Sequence, residues 1–154
     1  NVPDMRARHE QAARDGGIFD RVRFGGFQQD VRPFLREFDL FVHPSYGEPF
    51  GLSIVEAMAM RKAVIACNSG GVPEIITHDQ DGVLVEERSA TAVADAMARL
   101  LADPGLRARL GDRARETVCR RFTPRQQGDA VAALYAQLAS RPAPTRTATS
   151  SISR

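Results

Sequence analysis

Two carboxylates eight positions apart, Glu48 and Glu56, are the residues of this sequence best placed to do chemistry together. Glu48 lies in a loop that contains proline and glycine, whereas Glu56 lies within an apolar helical pattern. This spacing places Glu56 about two turns into the helix, on roughly the same side as Glu48. Between them a helix begins, and its free backbone N–H groups attract anions. Carboxylates accept hydrogen bonds from hydroxyls, so the pattern suits a phosphate flanked by sugars, as in a nucleotide-sugar.

Each of these features also has a purely structural interpretation. A single glutamate is usually an exposed surface residue, but Glu56 is embedded in the apolar sequence IVEAMAM. It is therefore expected to be either partly buried and paired or directed at a ligand. Gly51, where the helix begins, either lets a ligand approach the backbone or is an ordinary loop glycine. The distance between the two carboxylates cannot be read from sequence, so the pair is not interpreted as that of a glycosidase.

A second glycine-rich loop, 68–73, contains Gly70 and Gly71 and leads into a short helix. It matches neither GxGxxG nor a Walker sequence, so it is no evidence for NAD or ATP. The loop either contacts phosphate or sugar, or is a tight strand-to-helix turn. His43 follows an apolar strand and either faces the crevice or is a structural hydrogen-bonding residue, and the structural role is favoured. No residues have metal-ligand spacing, and no metal site is predicted.

The elements that would position these residues alternate between strands and helices. This alternation predicts a Rossmann-like parallel α/β sheet with helices on both faces. The strand at 40–42 is fully apolar, which is typical of a strand buried on both faces. Strands are predicted at 21–24, 40–42, 63–66 and 82–85, and helices at 3–14, 31–37, 52–60, 73–76, 89–101, 103–121 and 124–138.

The loops that follow these strands are the unusual ones of the sequence. Ligands of parallel sheets bind beyond the carboxyl ends of the strands. The turn at Gly25-Gly26 and the loops 43–51 and 68–73 should therefore converge on one crevice. The segment 140–154 is rich in Pro, Thr, Ser and Arg and is predicted to be disordered, which leaves one domain over 1–139.

The composition is that of an ordinary soluble globular chain. Hydrophobic residues make up 43% of the 154 residues, charged residues make up 26%, and the net charge is +2. Because the arginines alternate with acidic residues and tryptophan is absent, no nucleic-acid partner is expected. Cys67 and Cys119 have no metal or CxxC spacing, which favours a reduced, cytoplasmic setting. No apolar stretch approaches the ~18 residues that span a bilayer.

Several segments together resemble one known family. The sequences GEPFGLSIVEAMAM, AVIACNSGGVPEII, DGVLVE and 98–122 look like the C-terminal half of retaining GT-B glycosyltransferases of the GT4 type. VRFGGF and FDLFVHPSYGE are also similar to that family, so the resemblance runs from Val22 to Leu138. It implies one Rossmann-like half of a two-domain hexosyltransferase. Such an enzyme transfers a sugar from a UDP- or GDP-linked donor to an acceptor hydroxyl, with retention and without a metal or other cofactor.

The resemblance also implies roles for individual residues. Glu48 would be the catalytic residue and would bind hydroxyls of the donor sugar, while Glu56 would hold the nucleotide ribose. The backbone of 50–52 would contact the diphosphate and the sugar, and the turn at 25–27 would lie near the base. The implied donor-binding residues are Gly25, Gly26, Phe27, Glu48, Phe50, Gly51, Leu52, Glu56, Gly70 and Gly71.

Two departures from the family pattern qualify these expectations. Arg61-Lys62-Ala63 stands where the family usually has glycine and a small residue or proline, which should loosen that turn. The family's preceding strands, its basic pair that grips the pyrophosphate and its acceptor domain are missing. We therefore expect a truncated enzyme that needs an acceptor domain or a partner chain. The alternatives are a non-catalytic nucleotide-sugar-binding module and an inactive remnant of a truncated gene. The complete enzyme would serve cell-envelope or polysaccharide biosynthesis in the cytoplasm, peripheral to the inner face of the membrane.

Overall fold

The computed structural model describes residues 5–140. The predicted start of the first helix at Pro3 lies outside this range. So does the predicted disordered tail, apart from Ser140. The chain divides into two compact units between Pro33 and Phe34.

The first unit begins with helix α1, Met5–Asp15, which ends at two glycines as predicted. The amide of Gly16 donates to the carbonyl of Ala12 over 3.0 Å. Gly17 adopts a φ of +66°, a left-handed conformation that costs glycine little and commonly ends helices. A short 3-10 helix, Phe19–Arg21, follows.

The strand predicted at 21–24 is wrong. The backbone at Val22 is extended, with φ −106° and ψ 130°, as the alternation of arginine with apolar residues suggested. However, no strand within the described part of the chain pairs with this segment. Extended backbone becomes a strand only when a neighbour accepts and donates its hydrogen bonds, and the sequence pattern contains no information about that neighbour.

The second unit contains a three-stranded parallel sheet in the order β1-β2-β3. Leu40 pairs with Ala63, and Ile65 pairs with Val83, which sets the register. Every predicted element of this unit is present, and no end is displaced by more than one residue. The strands are β1 (Leu40–His43), β2 (Ala63–Cys67) and β3 (Val83–Val85), and the helices are α2 (Arg32–Glu37, across the unit boundary), α3 (Leu52–Ala59), α4 (Val72–Ile75), α5 (Ala90–Ala102), α6 (Pro104–Arg121) and α7 (Pro124–Ala139).

Strand β2 is the centre of the core, and all five of its residues are buried. Alternate side chains along a strand point to opposite faces. Ala63, Ile65 and Cys67 pack in a cluster with residues of β3, α5 and α6. Val64 and Ala66 therefore point to the other face, where both have no exposed surface. The central strand thus has the two covered faces that its apolar sequence predicts.

The prediction that 40–42 is buried on both faces is wrong. All four residues of β1 are only partly buried. The physical reason is its position, because β1 pairs with β2 on one side and is an edge strand among the strands that the structure describes. A continuous apolar sequence does not distinguish a central strand from an edge strand.

Side-chain caps fix where the three long C-terminal helices begin. The hydroxyl of Ser89 accepts from the amide of Ala92 at the start of α5. The carboxyl of Asp103 accepts from the amide of Leu106 at the start of α6. Thr123 forms a reciprocal capping box at the start of α7. Each such cap contributes about 1 kcal/mol.

A buried polar contact joins α6 to the turn before β3, and it generates a prediction about stability. Asp81 is 5% exposed; its carboxyl oxygens accept from the amide of Thr77 and from the hydroxyl of Thr117, each over 2.7 Å. Thr117→Val keeps the shape of the side chain but leaves one buried oxygen without its donor. We expect it to lower the free energy of unfolding by about 1–3 kcal/mol, as measured by urea denaturation.

The matched control is Thr91→Val, which makes the same substitution at an exposed position of α5. It should change the free energy of unfolding by less than about 0.5 kcal/mol. Equal effects of the two substitutions would show that the Asp81–Thr117 contact contributes nothing.

Candidate functional site

The loops that follow β1 and β2 meet, as the sequence predicted. The amide of Gly71 donates to the carbonyl of Glu48 over 2.8 Å. The amide of Gly47 donates to the hydroxyl of buried Ser69 over 2.9 Å. These cross-links hold the Glu48 loop against the glycine-rich loop at the carboxyl edge of the sheet.

The two glycines of the second loop are required by this close approach. A Cβ atom at Gly70 would lie 2.3 Å from the carbonyl oxygen of Glu48, and one at Gly71 would lie 2.3 Å from that of Pro49. Real Cβ atoms essentially never come within 3.0 Å of another residue's atoms. Gly70 also has a φ of +56°. The structural interpretation of the glycine-rich loop therefore has a direct geometric basis, independent of any contact with a ligand.

The two carboxylate oxygens of Glu48 have different surroundings. Oε1 accepts from the amide of Gly51 over 2.9 Å and lies 3.4 Å from the amide of Phe50. Oε2 lies 3.4 Å from Nε2 of His43, and the Glu48 side chain is 27% exposed. Oε1 is thus held by backbone amides at the start of α3. Oε2 points instead toward His43.

His43 lies beside this second oxygen, at the last position of β1. Its ring stacks on Phe41, with centroids 6.4 Å apart and planes at 19°. Its Nδ1 lies 3.4 Å from the hydroxyl of Ser53 in α3. Its Nε2 is buried and has no hydrogen-bond partner among the residues that the structure describes. The sequence indicated a structural role for His43 but contained no signal for this contact with Glu48.

Helix α3 begins at Gly51, which has a φ of +89°. This conformation favours glycine strongly and explains the residue, which the sequence left as either a ligand contact or an ordinary loop glycine. The amides of Leu52 and Ser53, which follow, have no hydrogen-bond partner within residues 5–140. Leu52 itself is 70% exposed. Unpaired amides at a helix start are suited to an anion.

Glu56 is exposed on α3. Of the two situations expected for it, partial burial with a partner is therefore wrong. Its side chain makes no hydrogen bond or ion pair within the described part of the chain. The alternation of apolar residues around Glu56 buries its neighbours Ala57 and Met58 but leaves the carboxylate accessible to a ligand.

The turn 25–27 belongs to the first unit and does not follow a strand. Its carbonyl at Gly25 accepts from the side-chain amide of Gln28, Gly26 has a φ of +63°, and Phe27 is 94% exposed. The roles of Gly25, Gly26 and Phe27 stay predictions that rest on the family resemblance.

Sequence reasoning missed a cation at the carboxyl end of β3. Arg88 adopts a φ of +60°, which is uncommon for a residue with a side chain. Its guanidinium lies 4.5 Å from the centroid of the Tyr46 ring, in the loop before Glu48, a favourable cation–π arrangement. The available signal was weak, since Arg88 is one of many arginines and only its place three residues after the end of β3 distinguishes it.

An apolar cavity of about 460 Å³ opens beside the first turn of α3. It is lined by Phe50, Leu52, Val55, Arg121, Phe122 and Gln127. Neither Glu48 nor Glu56 lines this cavity, so its chemistry differs from that of the carboxylate site.

No group of three or more His, Cys, Asp or Glu side chains within 5–140 is placed to hold a metal ion. Within the same range, none of the helices combines the length and the hydropathy needed to cross a membrane.

The chain is similar in sequence to known glycosyltransferases. The sequence profile described as glycosyl transferases group 1 matches residues 3–117. The lipopolysaccharide core biosynthesis glycosyltransferase LpsE of Rhizobium meliloti is 38% identical over 131 residues, which are 84% of this chain and 37% of LpsE. The chain therefore spans little more than a third of the length of that relative.

Solved structures agree with the sequence comparison. The C-terminal domain of the group 1 glycosyl transferase LpcC from Francisella tularensis superposes with a TM-score of 0.70 and 31% identity, over 79% of this chain and 64% of that one. HepE of Anabaena, solved in complex with UDP-glucose, superposes with a TM-score of 0.84 and 28% identity, over 89% of this chain and 38% of HepE.

The contact between the loops generates a prediction about the glycines. Gly71→Ala and Gly70→Ala should each destabilise the second unit, because the new Cβ atoms would collide with backbone oxygens 2.3 Å away. We expect losses of about 2–4 kcal/mol in the free energy of unfolding, measured by urea denaturation.

Gly47→Ala is the matched control, because Gly47 has a φ of +65° but nothing within 4 Å of an added Cβ. It should incur only the backbone strain, about 1–2 kcal/mol. Gly71 has an ordinary φ, so Gly71→Ala tests the collision alone. If it lowered the free energy of unfolding by no more than Gly47→Ala does, the close contact between the loops would not contribute to stability.

Proposed function

The chain belongs to the glycosyl transferases group 1 family, and we propose that it forms the donor-binding part of an enzyme that transfers a sugar from a nucleotide-diphosphate sugar to an acceptor hydroxyl. The observation that carries the proposal is the arrangement around α3. Glu48 accepts a hydrogen bond from the amide of Gly51 at the start of the helix. The unpaired amides of Leu52 and Ser53 follow, and Glu56 is exposed further along α3.

The dimensions of α3 support this assignment. An α-helix rises ~1.5 Å per residue, so Glu56 lies roughly 7 Å along the axis from Gly51. A diphosphate at the free amides of Leu52 and Ser53 would therefore place a ribose within reach of Glu56. A sugar on the opposite side of the diphosphate would lie next to Glu48.

The roles of the residues follow from this placement. Glu48 accepts a hydrogen bond from a sugar hydroxyl through Oε2, since Oε1 is held by the amide of Gly51. Glu56 accepts from the ribose hydroxyls. The amides at the start of α3 stabilise the charge that develops on the departing diphosphate, which is a positioning and electrostatic contribution to catalysis.

The remaining features of the proposal concern the complete enzyme. The reaction proceeds with retention and without a metal, and Gly25, Gly26 and Phe27 contact the base of a UDP- or GDP-linked donor. HepE, which binds UDP-glucose, makes a uridine nucleotide the first donor to test. A longer protein or a partner chain supplies the acceptor domain. The naming of LpsE for lipopolysaccharide core biosynthesis supports an acceptor in the cell envelope, and we place the complete enzyme in the cytoplasm beside the membrane.

Binding to the two carboxylates generates a separable pair of predictions. Glu56→Ala should weaken binding of the bare nucleotide about tenfold to a hundredfold, because a hydrogen bond to a charged group contributes about 1.5–3 kcal/mol. Glu48→Ala should not lower affinity for the nucleotide, since it removes a negative charge near the diphosphate, and it should remove most of the preference for the sugar-bearing form. Ligand-detected NMR with UDP, GDP, UDP-glucose and GDP-mannose measures both effects.

Glu116→Ala is the matched control, since it removes an exposed carboxylate of α6 that shares a pocket with Thr77 and Asp81 rather than with the start of α3. It should change none of the affinities. Equal affinity of Glu56→Ala and the parent chain for the nucleotide would refute the ribose assignment. A folded parent chain that binds none of the four compounds would refute donor binding by this chain and favour the alternative of an inactive remnant.

A further inference from the structure

The Nε2 atom of His43 is buried at the site without a hydrogen-bond partner among the described residues. Buried polar atoms in proteins almost always have a hydrogen-bond partner. Here Nε2 has none among the described residues, although Oε2 of Glu48 lies 3.4 Å away. That distance is slightly longer than an ordinary N–H···O bond, which spans about 2.7–3.2 Å.

We propose that His43 is a positioning residue that sets the orientation of the Glu48 carboxylate for donor recognition, and that Ser53 holds His43 in the required tautomer. The inference rests on the proposed function, because it assigns Glu48 to the donor sugar. His43 is not a substrate contact in this arrangement, since its Nε2 is buried and its side chain is only 15% exposed.

The two neighbours of the ring determine the tautomer. A neutral imidazole has one N–H donor and one acceptor nitrogen. A carboxylate oxygen accepts only, so Nε2 carries the proton when it faces Glu48. Nδ1 is then the acceptor, and the hydroxyl of Ser53, 3.4 Å away, can donate to it. The direction of hydrogen bonding runs from Ser53 through His43 to Glu48.

The carboxylate has one fixed oxygen and one that can move. Oε1 is held by the amide of Gly51 over 2.9 Å, so a small rotation about that contact shifts Oε2. A shift of a few tenths of an ångström would complete the bond from His43. Hydrogen bonds in active sites are often long until the substrate binds. Once both oxygens are held, the lone pair of Oε2 that does not accept from His43 points in a fixed direction and can accept from a sugar hydroxyl.

The stacking of His43 on Phe41 provides the rigidity that this role requires. Both residues lie on the same face of β1, and their rings are nearly parallel. The stack restricts rotation of the imidazole, so its edge stays directed at Glu48. Phenylalanine at position 43 would keep the stack and lose the N–H donor, which makes His43→Phe the informative substitution.

The first experiment measures the tautomer of His43 from the imidazole ¹⁵N shifts of the full chain, without any ligand. We expect the proton on Nε2, and we expect Ser53→Ala to reduce that preference while its backbone amide is retained. A proton on Nδ1 in the parent chain would overturn the inference.

The second experiment compares affinities for UDP-glucose against UDP, and for GDP-mannose against GDP. His43→Phe should lower the advantage of the sugar-bearing form about fivefold to tenfold, whereas His43→Gln, which restores an N–H donor, should stay within about twofold of the parent. His9→Phe, at an exposed position of α1, should change nothing. A merely structural role would lower the thermal midpoint without changing the ratio between the two ligands.

The outcomes separate the inference from the function on which it rests. An unchanged ratio in a folded His43→Phe chain, when the parent binds the donor, would overturn the positioning role alone. Failure of the parent to bind any of the four compounds would refute the proposed function. The tautomer measurement would then still decide whether His43 and Ser53 hold the Glu48 carboxylate.

Discussion

The approach of one backbone to another, between Gly70-Gly71 and Glu48-Pro49, is the constraint on which the rest of the site depends. Neighbouring parallel strands lie about 4.8 Å apart, so the loops that leave β1 and β2 begin close together. A side chain at position 70 or 71 would push them apart and break the bond from Gly71 to the carbonyl of Glu48. The position of the Glu48 carboxylate therefore depends on two residues that need not touch any ligand.

The carboxylate of Glu48 combines an observed structural contact with the recognition function that we propose for it. Its Oε1 satisfies the amide of Gly51, one of the backbone donors that a helix start leaves unpaired. This contact replaces the cap that a serine or aspartate would provide at position 51, where a φ of +89° favours glycine instead. The same hydrogen bond fixes Oε1. It therefore also restricts the position of Oε2, the oxygen that we propose accepts from a sugar hydroxyl.

The sequence predicted those parts of the structure that depend on neighbouring residues in the chain, and it missed those that depend on contacts between distant segments. Caps such as Ser89 and Thr123, and the apolar residues of β2, are local signals, and the elements that they predict are present. The strand predicted at 21–24 failed because pairing depends on a neighbour that the segment itself does not encode. The contacts of His43 with Glu48 and Ser53 also escaped prediction, since they join a strand end, a loop and a helix through side-chain directions. The spacing of Glu48 and Glu56 singled out both residues and the family resemblance implied roles for them, but neither contained information on which groups the two oxygens of Glu48 contact.

If the proposed function holds, the electrostatics of the site separate recognition of the sugar from affinity for the nucleotide. A helix start stabilises an anion by about 0.3–1 kcal/mol in exposed settings. A diphosphate roughly 6 Å from the Glu48 carboxylate would be repelled by about 3 kcal/mol per pair of charges at an effective dielectric constant of ~20. The amides of α3 therefore cannot offset the repulsion by themselves, and neutral hydroxyls suit this site better than phosphates do. Net attraction for the diphosphate requires basic side chains. Arg88, stacked over Tyr46 in the loop that precedes Glu48, is one such cation at the carboxyl edge of this sheet.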